Sequence, residues 1–400
     1  MSELNKNLIS DIINFCQQMV RTPSVNGSDS EKAIAQVIAD FAQQNGLQTE
    51  WLALEEDHPN VLVKVGASEE IGLLLVGHMD TVPTGNPDSW KFPPFSGEIS
   101  GDRLYGRGAI DNKGGIAAAL GAMLLLKSQA LESMEKSAVL ACVPDEESGA
   151  TGRLGIKYLH KHNKLSGRGA IYTYPYLKES AIGHRGVLRI KITTSGKSFH
   201  TGLHAWQTAD KSHNAVTGLC EILLALEKVH FDKDTSSSMF DRFTTVLTPT
   251  LIEGGSGQSM VPDRASATVD IRLVPSTPKQ MVQEKINAVI ADVQSRRPML
   301  KAATEELVSL PPTIIPQDSQ IISAIRTATR AVCGSEPNFV VSGPANESYL
   351  LNEIGIPTCT LGPEGAGAHS LDEYLELGSL SDTIEIYSRV ALELCGRRKP

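Results

Sequence analysis

The run Leu73-Leu74-Leu75-Val76 is unbroken by any polar residue, and it stops at Gly77-His78-Met79-Asp80. A strand that is apolar on both sides needs cover on both faces, so this run predicts a central strand of a largely parallel sheet packed between helices. Its far end carries chemistry. His78 and Asp80 stand at i and i+2, a spacing that on extended backbone turns both side chains to one side. A second apolar run, Ser137 to Val143, leads in the same way into Pro144-Asp145-Glu146-Glu147-Ser148-Gly149. Binding and catalytic groups of open α/β sheets collect at such carboxyl ends.

Two further stretches complete a constellation. Asp111 lies between Gly108 and Gly114-Gly115, small residues that allow close backbone approach ahead of an alanine- and leucine-rich helix predicted over 114–129. His369 sits in the loop Gly367-Ala368-His369-Ser370. Taken together, His78, Asp111, Glu147 and His369 are a nitrogen and oxygen donor set suited to zinc, manganese or cobalt. Glu146 remains to activate water, and Asp80 to hold one ring nitrogen of His78. As ordinary structure, the His-x-Asp pair would be a cap feature and Glu146-Glu147 a solvated acidic turn. The repetition of such groups at strand ends favours a site.

The rest of the chain fits an α/β sheet covered on both faces. A helix is expected over 10–22, and another after a capping box of Ser28 and Glu31, with strands near 51–54 and 60–65. Near Ile182 the pattern changes. Val187 to Ile192 alternates apolar and charged, the mark of a strand with one wet face, and helices follow around 216–226 and after Pro278, with strands near 245–252 and 265–273. The expected organisation is a mixed, mostly parallel α/β domain over 1–182 and 311–400, with an α+β domain inserted over 183–310.

The motifs GHMDTVP, YGRGAIDNKGG, DEESGATG, SGKSFHTG and GAGAHSLDEY, in this order, resemble the M20 family of metallo-hydrolases over nearly the whole chain. That family includes acetylornithine deacetylase, succinyl-diaminopimelate desuccinylase, aminoacylase and glutamate carboxypeptidase. The resemblance implies a phosphorylase/hydrolase-like catalytic domain with an inserted lid that commonly carries a dimer contact. It also implies a divalent metal centre of one or two ions, with His78 and Asp111 at one position, Glu147 and His369 at the other, and Asp111 bridging. Glu146 would be the general base and Asp80 would orient His78. His200 in Ser198-Phe199-His200-Thr201-Gly202 would polarise the substrate carbonyl. Arg272 and Asn214 correspond to lid positions for a substrate carboxylate, and Arg272 has an ion pair with a lid acid as its alternative. Gly343, Gly362 and Gly365 would line the pocket, and Lys113 would form a salt bridge nearby.

One position departs from the family. Where its members place a carboxylate ligand before a proline, this chain has Tyr174-Pro175. A phenol with an ordinary pKa near 10 is a poor substitute for a carboxylate, so tight occupation is expected only for the position of Asp111, Glu147 and His369. Glu179 is the nearest replacement in sequence. The expected reaction is hydrolysis of a C–N bond in a small carboxylate-bearing substrate such as an N-acyl amino acid or dipeptide. Alternatives are deamination of an amino-substituted acid, as in 5-nitroanthranilate aminohydrolase, and a homologue that binds ligand without turnover.

Composition narrows the partners. A net charge of −9 with no basic stripe argues against nucleic acid or an anionic membrane. No stretch approaches an apolar membrane span, and MSELNKNLIS has no apolar signal core. The six cysteines show no CxxC spacing and are expected to be reduced, as in a cytoplasmic enzyme. The chain has no GxSxG elbow and no phosphate-binding loop spacing.

Overall fold

The computed structural model describes residues 6–396. The basic run Arg397-Arg398-Lys399 and the first five residues lie outside the described residues. The chain forms two compact units, the first comprising the residues up to Gly183, Ile314–Ser342 and Asn346 onward, the second His184–Thr313 with Gly343–Ala345.

The first unit is built on a six-stranded sheet in the spatial order Gln48–Ala53, Pro59–Val65, Ser137–Val143, Ile71–His78, Gly169–Tyr172, Thr358–Thr360. Its first two pairings are antiparallel and the remaining three parallel. The apolar run does become a central strand, buried from Gly72 to His78, and every residue of Ser137–Val143 is buried beside it. Register sets His78 opposite Val143, so the two strand ends that carry the acidic and imidazole groups finish side by side.

The helix Gly114–Gln129 is apolar all round, as a helix enclosed within a domain must be. With the turn before it, it is the one helical stretch among the described residues long and apolar enough to cross a membrane, yet 94% of its 18-residue apolar window is buried inside the protein. Gly115 brings this helix against the end of the strand Gly169–Tyr172; a Cβ there would stand 2.1 Å from the Thr173 carbonyl oxygen.

The second unit is a four-stranded antiparallel sheet in the order Val246–Gly254, Arg264–Leu273, Gly186–Ser195, Lys301–Leu310. Its core joins Leu188, Ile190 and Ile192 of the sheet to Leu219 and Ile222 of the helix Ala215–Leu226 and to Val282, Ile286 and Val293 of the helix Lys279–Arg296. Burial alternates along Gly186–Ser195 as the sequence pattern requires.

Two local expectations are corrected. Ser28 and Glu31 form no capping box: Glu31 precedes the helix Lys32–Gln44 without capping it, because its carboxylate turns to His58. The strand Lys301–Leu310 was not anticipated. Its Glu305-Glu306 pair and a bulge between Glu306 and Val308 break the alternation that marks a strand.

Candidate metal centre

The sheet delivers the first groups directly. His78, the last residue of its strand, is fully buried, and its Nδ1 lies 2.9 Å from the Asp80 backbone carbonyl oxygen. A carbonyl only accepts, so Nδ1 carries a proton there and Nε2 offers its lone pair. The nearest group to Nε2 is Asp111 Oδ1, at 2.9 Å. Asp80 thus orients His78 mainly through its backbone; its Oδ1 is 3.4 Å from Nδ1. The Asp80 carboxylate instead accepts hydrogen bonds from the amides of Glu146 (3.2 Å) and Glu147 (2.9 Å) and from Asn26 Nδ2 (2.8 Å). The two adjacent strand ends are therefore pinned together by one buried acid.

Asp111 reaches the site from the turn Ala109–Lys113, which Asn112 ties to Thr173: Asn112 Nδ2 donates to the Thr173 carbonyl at 3.0 Å and Thr173 Oγ1 donates back at 2.7 Å. His369 enters from its own loop with φ 60°, a left-handed conformation that a non-glycine residue adopts only when its surroundings hold it. Its Nε2 lies 3.0 Å from Glu147 Oε1 and 3.4 Å from Asp111 Oδ2. The structure therefore brings His78, Asp111, Glu147 and His369 together, with Asp111 between the two imidazoles. Among the described residues Lys113 forms no salt bridge. It is buried and its Nζ donates to the carbonyls of Met19 (3.0 Å) and Thr22 (2.9 Å).

Acid dominates the cluster, and its protons show it. Burial alone would lower the pKa of His78, but Asp111 and Asp80 override burial and hold it well above the imidazole range. Asp111 and Glu147 push His369 up to about 10. Burial opposes ionisation of Asp111, yet His369 and His78 keep it below the carboxylate range. A neutral His78, its Nδ1 proton on the Asp80 carbonyl, would turn the Nε2 lone pair on Asp111 Oδ1 at 2.9 Å, a contact that a proton or a cation relieves. A divalent ion displaces such protons. The donor atoms of Asp111, Glu147 and His369 all lie within 4.8 Å of one another, and so do those of His78, Glu146 and Glu147. The residues fit a metal centre.

Tyr174 does stand beside His78, with ring centroids 5.6 Å apart. Burial, with Asp111, Glu146 and Glu147 adding to it, raises the phenol well above its ordinary pKa. Glu179 is exposed and joins no metal-ligand group among the described residues.

Glu347 escaped the sequence reading. It is fully buried, accepts from Tyr172 Oη at 3.2 Å through Oε2, and has no partner for Oε1. Burial, with Asp80 adding to it, raises its pKa to about 8. A lone glutamate outside any strand-end pattern gave no signal.

The second unit holds the other candidates. His200 is exposed and accepts from the Gly202 amide at Nδ1 (3.1 Å), which leaves the proton of the neutral ring on Nε2, where a donor to an oxyanion needs it. It stands in an isolated bridge with Met260, whereas His204 begins the short helix His204–Thr208, so the two do not share a helical face. Asn214 is an N-cap, accepting from the Thr217 amide at 3.1 Å. Arg272 adopts the ion-pair alternative, with Nε 2.8 Å from Asp270 Oδ2, and Arg189 holds the other oxygen at 2.9 Å. Gly343 groups with this unit and has open space at its Cα.

Residues 74–393 match the sequence profile of peptidase family M20/M25/M40. The chain belongs to that family. As an M20 chain it is an enzyme, a metal-dependent hydrolase of the peptidase and amidohydrolase kind. It is 25% identical over 390 residues to a probable succinyl-diaminopimelate desuccinylase of Staphylococcus aureus (92% of this chain, 93% of that one). It is 27% identical over 391 residues to an acetylornithine deacetylase of Aliivibrio fischeri (95% and 98%). Its fold matches an M20 family metallo-carboxypeptidase from Sulfolobus solfataricus with a TM-score of 0.75 at 18% identity, over 98% of this chain and 99% of that one. The M20 fold thus accounts for a mixed sheet whose strand ends gather the site.

Proposed function

We propose that this chain hydrolyses the amide or N-acyl bond of a small substrate bearing a carboxylate, such as an N-acyl amino acid or a dipeptide. The observation that carries the reading is the convergence of His78, Asp111, Glu147 and His369 with Glu146 buried at their side. A divalent ion, zinc, manganese or cobalt, supplies Lewis acidity and makes water more acidic when bound. Asp111, Glu147 and His369 hold that ion tightly, and His78, with Tyr174 in place of a further carboxylate, offers at most a weaker second position.

Glu146 is the general base. Burial raises its pKa well above the carboxylate range against the pull of His78, and Glu147, Glu347 and Asp111 add to the rise. In its ionised form, a carboxylate of raised pKa is the stronger base; it would take a proton from water and return it to the leaving amine. Asp80 positions both the base and its neighbour by receiving their backbone amides. His200, by its motif and its Nε2 proton, is the residue suited to donate to an oxyanion.

The test is a screen of N-acetyl, N-succinyl and N-carbamoyl amino acids, dipeptides and aminobenzoates with Mn, Co or Zn supplied. Release of a carboxylic acid and an amine is expected. Ammonia from an aminobenzoate with no acid formed would move the chain to the deaminating alternative. Glu146→Gln should lower kcat by several orders of magnitude with the bound metal retained, and His200→Ala should lower kcat more than it raises KM. Activity surviving in Glu146→Gln would remove the base assignment.

We further propose a homodimer formed through the second unit. The support is the edge strand Val246–Gly254, which exposes Leu251 (67%) and Ile252 (59%). The six cysteines are free thiols, which fits a reducing compartment such as the cytoplasm, and fractionation of the source cells would test that placement.

A further inference from the structure

His369 is followed at a distance of one helical turn in sequence by Glu373, a glutamate buried to 1% exposure. Its side chain enters the loop that carries Asp111. Oε2 accepts from the Gly108 amide at 2.9 Å, and Oε1 accepts from the amides of Ile110 (3.0 Å) and Asp111 (3.1 Å). The fourth donor is Arg107 Nη1, at 2.6 Å from Oε2. Arg107 is itself buried, and Glu373 is its one acidic partner among the described residues. The Glu373 backbone joins in, since its carbonyl accepts from the Gly106 amide at 2.9 Å. Loop 106–111 is thus wrapped around one carboxylate delivered by the His369 segment.

We propose that Glu373 is the positioning residue of the metal centre, the group that fixes the separation of Asp111 from His369. The inference rests on the reading of these two as metal ligands. Three backbone amides and a guanidinium converge here, and all are donors; only a group that accepts on both oxygens satisfies them. An amide in its place would aim its own N–H groups at donors, leaving buried amides unsatisfied and the turn at Asp111 free to shift. Glu373 meets Asp111 at its backbone amide and not at its carboxylate, so its effect on the centre passes through Asp111. Outer partners of this kind tune metal affinity through the ligands they hold.

The experiment uses full-length protein loaded with Co2+, read by metal affinity in chelator competition and by the visible absorption of the bound ion, with folding followed by circular dichroism. Glu373→Gln is expected to fold and to lose Co2+ affinity by about 10- to 100-fold with an altered spectrum. Wild-type affinity and spectrum in folded Glu373→Gln would overturn the proposal. Should that variant not fold, Arg107→Gln decides, since it keeps all three amide bonds while removing the charge that anchors the carboxylate. A fall of at least threefold in affinity is then expected, and an unchanged affinity and spectrum would overturn the proposal. Failure of the wild-type chain to bind Co2+ is a different result, which overturns the metal centre itself and this inference with it.

Discussion

At the level of single residues, the proposed centre is an acidic cluster short of one carboxylate. In that proposal Tyr174 stands beside His78 where a carboxylate would complete a second position, and burial with the acids around it raises the phenol's pKa. Replacing it should restore what the sequence lacks. Tyr174→Glu is expected to raise the metal retained through gel filtration from near one ion per chain to near two, as counted by elemental analysis. One ion in both proteins would mean that the missing carboxylate does not limit occupancy. Glu347 makes a second prediction, one of pH. Its pKa is 4.5 when exposed and about 8 in the fold. A raised pKa means that the folded chain binds the proton more tightly than the unfolded one. The stability this contributes is fully present below pH 4.5 and is lost as pH rises through about 8. Metal-free protein should therefore lose on the order of a few kcal/mol between pH 5 and 9 through this group. Glu347→Gln, which can still accept from Tyr172, should show a flatter profile in urea titrations at the two pH values. Parallel profiles would show that the buried acid is relieved by other means.

Among the elements, packing at the strand ends decides whether the site forms at all. Gly115 lets the helix Gly114–Gln129 sit against Thr173, to which Asn112 is also bonded, so this contact sets the depth of the Asp111 turn. Gly115→Ala would place a methyl group against a backbone carbonyl that cannot rotate away. A loss of about 3 kcal/mol is expected in denaturant unfolding, the upper end for overpacking, together with weaker metal retention. A loss within measurement error would mean that the helix slides at no cost. The same elements show what a sequence can reveal. The helix Gly114–Gln129 and the strand Ser137–Val143 were legible to the residue, because unbroken apolar runs flanked by glycine or charge leave no other assignment. The meeting of His78 with Glu147's neighbourhood was legible too, since both follow strand ends, whereas Asp111 and His369 reach it from a turn and a loop. Bonds that depend on third parties were not. Glu31 looked like a capping residue until His58 claimed it, and Asp80 looked like a partner for His78 alone until two amides from another strand end reached it. Lys301–Leu310 was hidden because one edge of an antiparallel sheet faces solvent and tolerates the glutamates that conceal it.

For the whole molecule, the sheet of the second unit ends on one side in a strand that conceals nothing. Val246–Gly254 is exposed along most of its length, and its neighbour Arg264–Leu273 occupies only one of its two hydrogen-bonding edges. Natural proteins guard such edges with charge, proline or a bulge. This strand has Pro249 and an irregularity before Leu251, but beyond them the consecutive Leu251 and Ile252 project to opposite faces, both exposed, ahead of Glu253. The opposite edge, Lys301–Leu310, carries Lys301, Glu305 and Glu306, which suits it to water. In the proposed homodimer this edge would pair with the identical strand of a second copy, closing the contact by a two-fold axis. Sedimentation velocity at micromolar concentration should therefore find a dimer for the wild-type chain. Leu251→Glu with Ile252→Lys should yield monomers whose thermal unfolding stays cooperative, since neither side chain contributes to the core of its own unit. A dimer that persists in the double variant would move the contact to another surface, and a wild-type monomer would show that the bulge at Pro249 protects the edge unaided.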